Sequence, residues 1–468
     1  MNNKYLFFVL IIIANIVLKS IYLDATPFWY DEMISVKDTQ LDFGHIKHES
    51  EWDNNPPFYY YCLWVWHSVI PVSEFNSRFL SVLFVSLSIG LLYLFANKYF
   101  NNKTAIASSV LLTLSNFIFF YGQETRAYAL VLLLSVISTI LFFKYLNRST
   151  VFNLIVLSLV NFLIIYTHYI AGLVVFFQYL FILVYYKKNR LTFFTIQSVI
   201  IVGLILLRFT KKQFLNITNF NKKDDFWLQT ASFNDLKSGL SELFYNPLTA
   251  LFFVTIMGLF IILFFRKKIQ DNSHVKFYCF LIGVFSFVLL FTIGCFKPLF
   301  LSRYLIFAVP FATLLVVDQL FEIKKVGVFI VLFFIGFETF SLNLIKKNPS
   351  DYKIISKLVV KNKKKDDVVI INTKDNLNLF LYYAYNGFLD HRKSDSICKE
   401  NNIFAANDLD VIKQINYPNN STIFLIQSFH DLKSTNNPFK NYLSSNNKQL
   451  YSTNFYKGLE FTVLRHTK

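Results

Sequence analysis

Charge is what this sequence lacks. Only 16% of its 468 residues are Asp, Glu, Lys or Arg, where an ordinary soluble chain carries about 25%. With 54% hydrophobic and 19% aromatic residues and a positive mean hydropathy, that shortage excludes a soluble globular protein and indicates a polytopic membrane protein. Acids are scarcer than bases: 29 Asp and Glu face 46 Lys and Arg, a formal net charge of +17. The bases come in short clusters between apolar runs, as in cytoplasmic loops, so no nucleic-acid partner is expected. Cysteine is nearly absent. Cys62, Cys279, Cys295 and Cys398 form no CxxC pair and no metal-ligand spacing, and most read as small packed hydrophobes. No internal repeat is visible, which counts against transporter folds built from repeats. The opening run "MNNKYLFFVLIIIANIVLKSIYL" lacks a small-residue cleavage site and reads as an uncleaved first span.

Apolar runs long enough to cross a bilayer fall at 5–23, 79–97, 104–121, 127–146, 152–168, 170–186, 191–209, 247–265, 277–295, 304–321 and 327–345. About eleven spans are therefore expected. Lys98 with Lys103, Lys144 with Arg148, "KKNR" at 187–190, "RKKIQDNSHVK" at 266–276 and "EIKK" at 322–325 occupy every second connection. Positive-inside placement of those five puts the N-terminus in the cytoplasm and everything from about 346 outside. The external connections are then 24–78, "YGQETRAY", "THY", 208–246 and "CFKPLFLSR". The aromatic stretch 58–70, after two prolines, is too short to span and reads as a helix lying in the outer interface. The tail differs in kind. "DDVVIINT" and "STIFLIQSF" read as buried strands, "NLNLFLYYAYNG" as a helix and "QLYSTNFYKGLEFTVLRH" as a closing strand pair. The expected architecture is a mainly α transmembrane domain over 1–345 and a small external α/β domain over 346–468.

Charges at membrane depth are costly and mark function or a watery cavity. Asp31, Glu32, Asp53, Arg78, Glu124, Arg126, His168, Lys297 and Arg303 come from distant parts of the chain, yet all fall at external edges. Carboxylates and arginines on one face suit a reaction with a phosphate leaving group and an acceptor that needs a base. Each has a plainer reading. "YDE" after Pro27 could be a solvated helix start whose acids favour the helix dipole. "ETRAY" could be a turn with a snorkelling Arg, His168 a hydrogen-bonded packing residue, and Arg303 with Tyr304 an interface anchor. "NNPP" at 54–57 would serve as a turn in any case. Order and shared side carry the weight here, not any one signal.

In sequence order, "FWYDE" at 28–32, "DNNPPFYYYCLWVW" at 53–66, "SEFNSRFLSVLF" at 73–84, "YGQETRAYALVLLLS" at 121–135, "THYIAGL" at 167–173 and "LSRYLIFAVP" at 301–310 together resemble the motif series of the GT-C superfamily. The resemblance is to glycosyltransferase family 39, which includes protein O-mannosyltransferases and lipid A aminoarabinose transferases. "NPSDYKIISKLVV…DDVVIIN" resembles the start of that family's external domain, so the likeness runs from about 24 to 371. One departure is Asn55, which precedes the paired prolines where the family often has His or Lys.

The resemblance implies a polyprenyl-phosphate-linked sugar donor, an external active site in the plasma membrane and inversion at the sugar carbon. It implies Asp31 as general base with Glu32 in support, and Asp53 shaping the acceptor side or holding an ion. Arg126 with Tyr128, and Arg303 with Tyr304, would bind the donor phosphate. Arg78, Glu124 and His168, expected on the same external face, are further candidates for substrate binding. Sugar and acceptor, whether glycolipid, glycan or protein, stay open. A divalent cation is also left open as a cofactor, with His48, Glu51, Asp53 and His168 as ligand candidates lacking tight spacing. A transporter or flippase of lipid-linked sugars, or a surface polysaccharide ligase or polymerase, is the alternative reading.

Overall fold

In a computed structural model, residues 3–40, 42–50, 55–186, 189–209, 211–213, 229–243, 273–345, 351–385, 391–428, 438–445, 448–456 and 459–466 are described, with a few isolated positions between them. The candidate span 247–265 and Asp53 fall mostly or wholly outside these residues. The chain divides into two compact units. The first comprises Met1–Tyr22, Gly44–Cys62 and Arg78–Leu344, and the second Leu23–Phe43, Leu63–Ser77 and Ile345–Lys468.

The first unit is helical. Among the described residues, five helices are long and apolar enough to cross a bilayer: Asn3–Ser20, Glu74–Tyr99, Tyr128–Asn147, Arg190–Arg208 and Ser273–Gly294. A sixth is counted if Asn102–Leu114 and Asn116–Gly122, bent by 60° at their junction, form one span. The expected runs at 152–168 and 170–186 are shorter helices, Val151–Ile165 and Gly172–Tyr185, because the chain tightens into a 3-10 turn at Tyr169–Ala171. Helices Asn3–Ser20, Arg190–Arg208 and Lys325–Ser341 leave Leu10, Val17, Leu206, Leu207, Phe329 and Phe333 uncovered. Such apolar faces suit lipid and not water. Tyr128–Asn147, by contrast, is buried on nearly every side.

Close backbone approach and internal polar pairing hold this bundle together. A Cβ on Gly283 would collide with the Ala312 backbone nitrogen, so helices Ser273–Gly294 and Val309–Glu322 touch main chain to main chain. A π turn at Leu281–Phe285 marks that contact. Ser138, Asn161, Gln178 and Gln197 form a buried chain: Ser138 Oγ donates to Asn161 Oδ1 at 2.6 Å, and Asn161 Nδ2 donates to Gln178 Oε1 at 2.7 Å and Gln197 Oε1 at 3.0 Å. Helices whose other contacts are non-directional gain a fixed register from such pairs. Lys276 and Asp318 form a buried ion pair at 2.8 Å. Lys19 is also buried. Its ammonium donates to Asn15 Oδ1 at 2.8 Å and to Thr113 O at 2.9 Å, a carbonyl left over where Asn102–Leu114 breaks.

The second unit holds a five-stranded sheet in the order β2-β1-β3-β5-β4, with β1 Val368–Asn372, β2 Ile403–Ala406, β3 Thr422–Ser428, β4 Lys448–Tyr456 and β5 Leu459–His466. β2, β1 and β3 are parallel; β5 runs antiparallel to β3, and β4 to β5. β1 is buried along its whole length, as a central parallel strand must be. Alternate residues serve two cores. Val369, Ile371, Phe424, Ile426 and Phe461 meet Tyr352, Ile355, Val359 and Leu379 on one face, while Val368, Ile370, Ile423, Leu425 and Leu464 meet Ile412, Phe439 and Leu443 on the other.

The domain boundary at 345 needs one amendment. Phe28, Met33 and Val36 belong to the first of those two cores, so much of the loop 24–78 groups with the C-terminal α/β unit and not with the helical bundle. The apolar residues of the short helix Tyr30–Asp38 find their cover there.

Candidate functional site

The candidate residues fall into two groups, one in each unit. In the second unit, Pro27 and Phe28 lead into helix Tyr30–Asp38, which starts with Trp29 as N-cap. Glu32 occupies the third helical position, and its carboxylate accepts from the Trp29 N–H at 3.3 Å. This is half of a capping box, so the plainer helix-start reading accounts for Glu32, which is fully buried. Asp31 differs. With Ile34 and Lys37 it lies on the half-open face of the helix, while Glu32, Met33, Ser35 and Val36 face inward. Burial thus gives two adjacent carboxylates separate duties.

The helix Phe58–Val69 is 12 residues long, too short to span. Its His67 lies between Thr39 Oγ1 at 3.1 Å and Ser77 Oγ at 3.0 Å, joining the C-cap of Tyr30–Asp38 to the first turn of Glu74–Tyr99. Burial pushes the His67 imidazole down to about 4, so it is neutral at physiological pH.

In the first unit the connections between helices gather the remaining candidates. His168 stands in the turn after Val151–Ile165, its ring centroid 4.8 Å from that of Tyr304 and 6.3 Å from that of Tyr128. The Arg303 guanidinium carbon lies 5.9 Å from the Tyr128 ring centroid and 6.0 Å from that of Tyr304, within cation–π range. Burial, with Arg126 and then Arg303 nearby, pushes His168 down to about 3. The two arginines are therefore close enough to act on one imidazole. Glu124 is buried, and its carbonyl accepts from Ser81 Oγ at 2.6 Å. Arg78, buried as well, sits one helical turn before Ser81. The segments "YGQETRAY", "THY" and "LSRY" thus converge on an arginine–tyrosine–histidine cluster that can clasp an anion.

Three members of this cluster are not among the site residues expected from the sequence. The Glu242 carboxylate accepts from both the Tyr121 and Ser302 hydroxyls. Glu242 lies in the last turn of helix Phe233–Leu243, whose start is capped by Asp235 accepting from the Ser232 N–H at 2.8 Å. Tyr121 also stacks edge-on against Tyr128, with centroids 5.5 Å apart. Tyr121 and Ser302 lie inside quoted motifs, whereas Glu242 stands in a connection without any motif, so only folding reveals it. Among the described residues no group of three or more His, Cys, Asp or Glu side chains is placed to hold a metal ion. Glu51 and Asp53, two of the four ligand candidates, lie outside those residues.

Helical spans with lipid-suited faces, a mixed α/β unit and an arginine cluster at the helix connections mark a multi-span membrane protein, whose fold is that of ArnT and of an archaeal oligosaccharyltransferase. Residues 54–209 match the family model of dolichyl-phosphate-mannose-protein mannosyltransferases. The crystal structure of ArnT from Cupriavidus metallidurans bound to undecaprenyl phosphate superposes with a TM-score of 0.59 at 10% identity, covering 99% of this chain and 98% of that one. The apo form of the same enzyme gives 0.60 at 12% identity, with 97% of each chain covered. The Archaeoglobus fulgidus oligosaccharyltransferase AglB, in complex with an inhibitory peptide and a dolichol-phosphate, gives 0.54 at 8% identity, covering 99% of this chain and 74% of that one. No curated protein sequence matches the chain.

Proposed function

We propose that this chain transfers a sugar from a polyprenyl-phosphate carrier to an acceptor on the outer face of the plasma membrane, with inversion at the sugar carbon. The observation that carries the reading is the Arg303 guanidinium over Tyr128 and Tyr304, beside a neutral His168 and within reach of Arg126. A planar guanidinium can hold two phosphate oxygens at once, and fixed cations stabilise the charge that grows as phosphate leaves. Structures of this fold hold undecaprenyl phosphate in one case and a dolichol-phosphate in another, which supports a polyprenyl carrier here.

Asp31 is the general base in this scheme. It takes the proton of the acceptor hydroxyl as the new bond to the sugar carbon forms, and the sugar–phosphate bond breaks with its electron pair on the phosphate. Glu32 secures the helix that carries Asp31. Arg78 and Glu124 shape the donor pocket, and Asp53 shapes the acceptor side or helps hold a divalent cation. Eleven spans, a cytoplasmic N-terminus and an external C-terminal domain complete the scheme, in line with the basic connections. The sugar is a hexose or a pentose, and the acceptor a glycolipid, a glycan or a protein. Mass spectrometry of surface glycolipids, glycans and proteins, with and without the gene, tests the reading. One sugar should disappear from one acceptor and return with the wild-type gene but not with Arg303→Ala. An unchanged set of envelope sugars would overturn it.

A further inference from the structure

We infer that Tyr383, in the C-terminal α/β unit, is a positioning residue for Asp31, acting through the main chain of Phe28 and tuned by Glu74 and Lys353. The inference rests on the reading of Asp31 as the base. Phe28 stands two residues before the helix, where no helical carbonyl can accept its N–H. That N–H donates to the Tyr383 hydroxyl oxygen at 2.6 Å. The Tyr383 hydroxyl donates in turn to Glu74 Oε1 at 3.2 Å, and the Lys353 ammonium donates to the same oxygen at 2.9 Å. Lys353 also stands 5.8 Å from the centre of the Tyr383 ring. All of these residues belong to one compact unit.

The arrangement does more than fill a core. A nine-residue helix has little stability of its own in water, so the place of Asp31 depends on what grips the helix. Its polar grips include Tyr383 on the Phe28 N–H, Glu32 on the Trp29 N–H and His67 on Thr39. The first comes from a residue more than 350 positions away. It is reinforced by a carboxylate–ammonium pair, and hydrogen bonds to charged groups are the stronger kind. The C-terminal domain thereby sets the position of the catalytic carboxylate and is not a mere appendage.

Tyr383→Phe keeps the ring and deletes both hydrogen bonds. In the full-length chain in nanodiscs we expect sugar transfer to the gene-dependent acceptor to fall about 10- to 100-fold, the scale of a positional error of about 1 Å. Binding of undecaprenyl phosphate should be unchanged, and amide exchange over residues 28–38 should quicken. Combined with Asp31→Asn, Tyr383→Phe should lower turnover no further, an outcome that a purely structural role would not give. Glu74→Ala should reproduce the loss, and Glu74→Gln, with an acceptor oxygen still in place, should recover most of it. Wild-type turnover in Tyr383→Phe and Glu74→Ala, with Asp31→Asn inactive, would overturn the inference and leave the base assignment standing. Additive losses in the double variant would overturn it too. Near-normal turnover in Asp31→Asn would instead bring down the base assignment, and this inference with it.

Discussion

Arg303→Lys keeps a cation at the cluster but removes the plane. The guanidinium carbon lies 5.9 Å from the Tyr128 centroid and 6.0 Å from the Tyr304 centroid. Contact with two rings helps to set its orientation before any phosphate arrives. A lysine ammonium can keep a weak cation–π contact, worth about 0.5–1 kcal/mol at most sites. It is a point donor, however, and cannot engage two phosphate oxygens in one plane. The expected loss is one charge-assisted hydrogen bond, about 1.5–3 kcal/mol. At about 1.4 kcal/mol per factor of ten, turnover should fall about 10- to 150-fold. Purified variants in nanodiscs can be assayed for sugar transfer and for binding of undecaprenyl phosphate. Both should weaken, because the phosphate is present in donor and product alike. Wild-type values for both in a folded Arg303→Lys protein would remove Arg303 from the phosphate site.

The remaining predictions test other parts of the scheme. Asp31→Asn should lower turnover about 10²- to 10⁴-fold, the usual value of a general base, and leave undecaprenyl phosphate binding intact; near-normal turnover would refute the assignment. Glu32→Gln, a change at a capping position, should cost about 1 kcal/mol in thermal stability and little turnover. His67 has a folded pKa of about 4, below its ordinary 6.5, so between those values the unfolded chain binds the extra proton and stability rises with pH. His67→Gln should flatten the dependence of the melting temperature between pH 4.5 and 6.5, and an unchanged slope would exclude His67 as its source. Single-cysteine labelling should place positions 31, 124, 303 and 400 outside and 187–190 inside, and a cytoplasmic position 400 would break the topology.

How far the sequence reading reached depended on how local each signal was. Apolar runs and basic connections are local, so the helices Asn3–Ser20, Glu74–Tyr99, Tyr128–Asn147 and Arg190–Arg208 lie where their hydropathy indicates. β1, β3 and the β4–β5 pair fall in segments rich in β-branched and aromatic residues. β2 is only Ile403–Ala406, a strand too short to carry a period. The break at Ser115 also escaped, because apolar residues run on across it while the serine hydroxyl accepts from the Ile118 N–H and starts a new helix. Glu242 could not be read from its neighbours at all. Its two partners, Tyr121 and Ser302, are 121 and 60 residues away.

Asp31 and Glu32 show most clearly where local reading stops. Neighbours on a helix differ by about 100° around the axis, so one of the pair must turn inward if the other turns out. "FWYDE" contains nothing that says which. The choice is made by Phe28, Met33 and Val36, whose common face meets Tyr352, Ile355, Leu379 and Tyr382. Those partners lie some three hundred residues further along the chain. The inward residue, Glu32, then has its Trp29 N–H to serve, and Asp31 is left half-open on the other side. A carboxylate needs that opening to take a proton from an acceptor hydroxyl. If Asp31 is the base, as proposed, the packing of the C-terminal unit is what leaves it open for that role, and a change in that packing, with the motif itself untouched, should be enough to disable it.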